Sequence, residues 1–590
     1  MKKGIIVLLI CFASNVSYTY SQSNSINLEL EQSKTLPQEN VFVHFNSSLF
    51  LAGENLYYKA YCLNVERNKL STLSKIAYVE LVGENHEVVF KHKVKLNSGI
   101  GYGDFIIPTS VKSGNYKLIA YTQLMRNVGE DYFFKSNVAV INPFQNNQQT
   151  ILADSEIKDS TSTIDLISVK EIQEKVNSQF LEIITDNKKF QKRTKVSLTL
   201  RNIKDESLNG SYSISIRKID ALDQLVSKAK SSNTFINQQE RNSYNLRNIY
   251  YLPELRGELI SGKLIKISDG KPAANEKVSI SINEKDFILK VANTDDKGVF
   301  YFNLNNDYNN ENAVLQVLDR NNKDYRIILN EHSSVDYSSI DFEKIEISSN
   351  YKDPLEQRSI YNQIENGYFS LRPNMLKVID AITPFFGPYY ATFNLDDYNR
   401  FSKVRETFVE VIANAYVKKN DKQKINFYVT SLNPYEENEK PAGVIVDGIL
   451  LQNFDKLLEY DSRKIKKISI ARTETNFILG SKMFGGFIVV ETFNGDFYKE
   501  LSKESVTMVK LFKPQPKKHY FKKDYENGLA TNRIPDYRSQ LLWEPNVKME
   551  EKELVLDFFT SDNVGTFEIS LEGFTSVGIP VSIREFFIVE

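Results

Sequence analysis

Cysteine is almost absent, with two residues in 590. One, Cys11, lies in an apolar N-terminal stretch, and the other is Cys62. A chain left with one thiol forms no internal disulfide, so its stability must come from packed cores. Histidine is also scarce. The five (His44, His86, His92, His332, His519) include no HxxxH pair, and a zinc site needs convergent ligands at short spacing. No metal or cofactor is therefore expected. Lys and Arg total 74 against 75 Asp and Glu, a formal charge of −1. That balance lacks the concentrated basic face of a nucleic-acid binder. Tryptophan occurs once, as Trp543. Glycine (25) and proline (16) are too few for a collagen-like or low-complexity chain. Beyond the N-terminus no apolar run approaches the ~18–20 residues of a membrane-spanning helix, so no helical anchor is expected.

Nucleophile motifs are missing as well. There is no Gly-x-Ser-x-Gly elbow, and Cys62 has no histidine near it in sequence. The acidic turns at Asp269–Gly270 and Asp295–Asp296–Gly298 lack the spaced acids of a calcium loop and suit hairpin turns. These absences point away from an enzyme.

What is present begins with an export signal. Lys2 and Lys3 precede GIIVLLICFASNV and then polar SYTYSQS, the charged, apolar and small-residue regions of a signal peptide. Cleavage is expected after Ser21, with Thr19 at the −3 position. Ile10 before Cys11 argues against lipidation.

The mature chain reads as mainly β: tandem β-sandwich (Ig-like) domains plus one small α+β domain. Period-two alternation runs through Val41, Val43 and Phe45, then Leu56, Tyr58, Ala60 and Cys62, which marks paired strands with one buried face. On this pattern His44 points away from the core, at a half-exposed position. Expected domains are a sandwich at 22–144, a linker at 145–165, a second sandwich at 166–250 and a third at 251–345. A helical segment with a mixed domain follows at 346–500, then a linker and C-terminal β domain at 501–590. Apolar residues at three-to-four spacing predict helices in PLEQRSIYNQIENGYF (354–369) and over 395–417, the latter with a stripe through Leu395, Tyr398, Phe401, Val404, Phe408 and Val411.

Three resemblances follow from these segments. FLAGENLYYKAY (50–61), LSKIAYVEL (73–81), GYGDFIIP (101–108) and SGNYKLIAYTQLMRN (113–127) resemble the macroglobulin-type sandwich of bacterial envelope proteins. GELISGKL and TDDKGVFYF, within 257–304, are similar to the carboxypeptidase-regulatory-like sandwich. PAGVIVDGILL, RKIKKISIAR and KMFGGFIVVET, within 441–493, resemble the plug domain of TonB-dependent outer-membrane receptors. The Cys-Gly-Glu-Gln thioester of trapping macroglobulins is missing, so covalent protease trapping is not expected. A receptor barrel takes roughly 22 strands of about 9–11 residues, whereas 97 residues follow Phe493. Any barrel is thus expected in a partner.

The resulting expectation is a non-enzymatic exported protein, outer-membrane-associated in the periplasm or at the cell surface. It would act as an accessory or scaffolding subunit of an outer-membrane β-barrel protein or complex. The alternative is a plug or gating component of a TonB-dependent-type transport or secretion system. Candidate partner contacts are Asp447, Gly448, Gly485 and Gly486 in the plug-like segment, Lys517 and Lys518 in the basic stretch LFKPQPKKHYFKKDY (511–525), and Trp543. Oligomeric state is not legible from the sequence.

Overall fold

The computed structural model describes residues 37–590 except 149, 153–174, 205–208, 239–249, 321, 332–333, 421–422, 432–439, 473–475, 480–481, 502–505 and 528–532. The segment expected to be a signal peptide, with Cys11, Thr19 and Ser21, much of the expected linker at 145–165, and His332 lie outside the described residues. The chain is mainly β. It divides into two compact units, one of Thr35–Gly257, Ser334–Val378 and Pro514–Glu590, the other of Glu258–Ser333 and Ile379–Lys513. Among the described residues no helix is long and apolar enough to cross a membrane.

The larger unit holds two sandwiches. In the first, strands Glu39–Phe45, Asn55–Asn64, Lys69–Leu70 and Ile100–Ile106 form one sheet. Leu49–Leu51, Phe134–Ile141, Gly114–Tyr121, Ile76–Gly83 and Val88–Lys95 form the other. The antiparallel register sets Val41 opposite Cys62, Val43 opposite Ala60 and Phe45 opposite Tyr58, all on the inward face. Cys62 is fully buried there as a small apolar side chain, and burial pushes its thiol pKa up.

The alternation is as expected, but the second face is not wet. Every residue of Glu39–Phe45 is buried. The second sandwich covers the outward residues Phe42, His44, Lys59 and Tyr61: the Phe42 and Tyr61 rings lie 5.8 and 5.3 Å from Phe574. His44 is therefore not half-exposed. Its Nδ1 is 2.7 Å from Ser213 Oγ, and its ring packs on Trp543. Burial, with the Lys59 and Arg584 charges, pushes its pKa down to about 3.

Residues expected in two separate domains build this covering sandwich together. Leu181–Thr185 and Lys195–Asn202 join Glu553–Phe559 in one sheet. Gly210–Lys218 lies between Gln540–Lys548 and Gly565–Thr575 in the other. The common core runs through Leu198, Ile214, Phe567 and Phe587. The stretch before it is no free linker either. Beyond Pro514, Gln515 N donates to Lys93 O at 2.7 Å, Lys518 pairs with Asp104, and Tyr520 is buried.

The smaller unit contains a third sandwich, with Val299–Leu304, Glu258–Lys266 and Tyr325–Leu329 in one sheet. Ile288–Asn293, Lys277–Ile282, Asn312–Leu318 and Thr507–Lys510 form its other sheet. Its hairpin turn is closed by Asp295 Oδ1, which accepts from Lys297 N and Val299 N, with Gly298 at φ +73°. The same unit has a mixed five-stranded sheet, ordered Ala391–Asn394, Ile465–Ala471, Phe487–Thr492, Gly443–Val446 and Ile449–Leu450. The long helix expected over 395–417 is reduced to Val404–Glu410, and Ala415–Lys419 is a strand paired with Ile425–Val429. Arg400 explains the break. Its guanidinium donates to Ser462 O and Ile465 O and pairs with Asp396, fixing this stretch outside a helix. Helix Lys352–Gly367 forms as expected, but it belongs to the larger unit rather than to the mixed domain.

Candidate functional site: a cleft in the larger unit

The seven residues singled out in sequence fall in two places. Asp447 and Gly448 form a tight turn at positive φ (+48° and +83°) between two strands of the mixed sheet. The Asp447 carboxylate is buried and accepts from Thr492 N (2.9 Å), Thr492 Oγ1 (2.7 Å) and Phe497 N (3.0 Å). Gly485 N donates to Pro441 O, and a Cβ on Gly486 would stand 2.7 Å from Ala471 O. These four residues hold the mixed domain's interior. Replacing Asp447 with Ala strands three donors, and the smaller unit should lose about 2–4 kcal/mol in denaturant unfolding. A loss under about 0.5 kcal/mol would contradict this role.

Lys517, Lys518 and Trp543 lie in the larger unit. Lys517 O accepts from Lys377 N, and Lys518 Nζ reaches both Asp104 oxygens at 2.9 Å. Trp543 is 3% exposed and stacks on Tyr57 at 5.9 Å. Trp543 also forms part of the wall of a cleft of about 820 Å³, within the roughly 300–1,000 Å³ range of small-ligand sites.

Helix Lys352–Gly367 makes one side of the cleft, and a single arginine docks it. Arg358 gives a two-pronged pair to Glu54, with Nε and Nη2 each 2.8 Å from a carboxylate oxygen. It also reaches Asp220 at 3.4 Å and donates to Leu49 O. Burial works against this cation, but Glu54 and Asp220 more than offset it, so its pKa lies above the ordinary arginine value. Further along, Tyr361 stacks on Tyr537 at 4.2 Å and 7°. The opposite side carries a second charge cluster. Arg538 forks onto Asp536 at 2.7 and 2.8 Å, and the Tyr525 hydroxyl donates to the same carboxylate. Burial raises the Asp536 pKa, yet Arg538 and Tyr525 prevail and hold it down at about 2.

The cleft's chemistry follows from this pairing. Five cations line it, and each has an internal partner: Arg358 as above, Arg217 on Asp223, Arg372 on Glu365, Arg538 on Asp536 and Lys218 on Asn563. Nine lining residues are Asn or Gln and eight are aromatic. No histidine or cysteine lines it, so it offers no imidazole base and no thiolate. Among the described residues no three His, Cys, Asp or Glu side chains are grouped to hold a metal ion.

By sequence the chain matches no protein-family profile and no curated protein. Structure comparison returns Escherichia coli alpha-2-macroglobulin activated by porcine elastase, at 8% identity over 94% of this chain and 44% of that one, with a TM-score of 0.23. Salmonella alpha-2-macroglobulin reacted with methylamine follows at 8% identity, 94% and 40% coverage and a TM-score of 0.22. The E. coli adhesin FdeC covers 31% of this chain and 48% of its own at 13% identity, with a TM-score of 0.14. The chain thus spans less than half the length of these macroglobulins.

Sequence reasoning reached Trp543 but missed Arg358, Tyr361, Asp536 and Arg538. For Arg358 and Tyr361 the available signal was the helix predicted over 354–369, and for Asp536 and Arg538 it was the charged RIPDYR run beside Trp543.

Proposed function

We propose that the chain is a non-enzymatic exported envelope protein that binds and scaffolds, serving as an accessory subunit of an outer-membrane complex. The observation that carries this reading is the cleft, whose cations are all partnered internally while aromatic and carboxamide side chains line it. Such a wall recognises a ligand without activating it. The two sandwiches of the larger unit and the third sandwich, which begins with GELISGKL, suit a protein that presents rigid surfaces. The first is read as macroglobulin-like and the third as carboxypeptidase-regulatory-like. The mixed sheet, with its Asp447–Gly448 turn, is read as plug-like and as the candidate contact with a barrel supplied by another chain.

Affinity purification of a tagged full-length protein from membranes is expected to recover an outer-membrane β-barrel protein. Recovery of the tagged chain alone would refute the scaffolding role. Crosslinks from the 482–487 turn into a barrel lumen would instead favour a plug or gating component.

A further inference from the structure

We infer that the cleft of the larger unit binds an uncharged oligosaccharide. This assignment rests on reading the cleft as a binding site, but needs neither the membrane location nor the barrel partner.

The argument begins with charge. A site for a phosphate, a nucleotide or an acidic peptide keeps cations available to the ligand. Here Arg358, Arg217, Arg372 and Arg538 are all neutralised by carboxylates of the same chain. Burial lowers the Lys218 pKa, and its Nζ lies 2.7 Å from Asn563 Oδ1. The four guanidinium charges are thus matched, and Lys218 and Asp353 are the charged side chains left on the wall.

A sugar ring has an apolar C–H face surrounded by hydroxyls, each both donor and acceptor. The positive C–H edges suit the negative faces of aromatic rings, and carboxamides supply a donor and an acceptor from one side chain. The cleft combines both groups: Tyr57, Trp543, Tyr361 and Phe369 among its aromatics, Asn55 and Asn366 among its amides.

Wall residues also have unanswered polar atoms, Arg217 Nε among them. Trp543 Nε1 is a buried donor and Asn55 Oδ1 a buried acceptor, and neither has a hydrogen-bond partner in the chain. Unpaired buried polar groups are costly and rare in folded proteins, and here a donor and an acceptor flank one cavity. An extended peptide would rather seek a free sheet edge for its backbone, and the cleft is walled on one side by a helix.

Trp543 supplies the readout, because it is the only tryptophan in the chain. Its emission is followed in the full-length protein during titration with cellohexaose, maltohexaose, xylohexaose and chitohexaose, alongside oligogalacturonate and an uncharged Gly-Ser-Asn peptide. At least one neutral oligosaccharide should give a saturable change. Tyr361→Ala and Phe369→Ala, at half-buried and exposed positions, should each weaken it about tenfold, the loss of one aromatic platform, with the circular dichroism spectrum unchanged. No saturable change with any of the four sugars overturns the proposal. So does binding of the peptide or oligogalacturonate alone, or neutral-sugar binding that ignores both variants. Peptide binding abolished by Tyr361→Ala would keep the cleft as a binding site while refuting its ligand class. Membrane recovery of a barrel partner reports on the scaffolding reading separately.

Discussion

Lowering the pH from 7 to 4 should weaken the larger unit, and His44 should be a principal cause. This imidazole is neutral in the fold, with its pKa pushed down to about 3 by burial and by Lys59 and Arg584. In the unfolded chain it returns to about 6.5. The unfolded state therefore takes up the proton first as acid is added. Stability is fully present above about pH 6.5 and drains as pH falls toward 3. At pH 4 the cost is on the order of 3 kcal/mol. His92, pushed down to about 4 by burial and Lys518, acts in the same direction. Glu572 opposes them, because burial raises its pKa and favours its protonated form in acid. Comparing wild type with His44→Gln isolates the His44 share, since the other groups are common to both. Urea unfolding across this range should give a shallower pH slope for the variant. Equal slopes would show that His44 does not titrate between the folded and unfolded states.

The second large effect concerns Asp536. It is 1% exposed, is forked by Arg538 and accepts the Tyr525 hydroxyl. Asp536→Ala leaves Arg538, itself 8% exposed, as a buried cation without its carboxylate. Removing one partner of such a pair costs about 3–5 kcal/mol, whereas replacing both by apolar residues is often nearly neutral. Asp536→Ala should therefore lower the stability of the larger unit by that amount. The double change Asp536→Leu with Arg538→Met should recover most of it. A single variant as stable as wild type would show that the pair adds little.

These residues also mark how far the sequence could be read. Alternation placed Val41, Val43, Phe45 and Cys62 on a buried face, because period two is a local property of a strand. Whether the other face meets water depends on what covers it. For His44 the cover comes from Ser213 and Trp543, far away in the chain, and strand spacing carries no trace of it. Helix Lys352–Gly367 was legible from its three-to-four spacing, but its docking by Arg358 onto Glu54 spans 304 positions. The 395–417 stripe had a helical period, yet only Val404–Glu410 is helical. The Arg400 contacts with Ser462 and Ile465 outweighed local preference there. Trp543 was the one cleft residue that rarity alone brought forward.

The second sandwich sets an order of assembly that differs from the order of synthesis. Strand Gly210–Lys218 is made well before its two neighbours, Gln540–Lys548 and Gly565–Thr575, with 325 positions between Ser215 and Gln540. At about 5–20 residues per second, some tens of seconds separate them. Throughout that interval Phe42, His44, Lys59 and Tyr61 on the first sandwich have no cover. The smaller unit, encoded between these parts, is complete before the larger one can close. Until Gln540–Lys548 and Gly565–Thr575 are in place, the aromatic surface around Phe42 and Tyr61 stays uncovered.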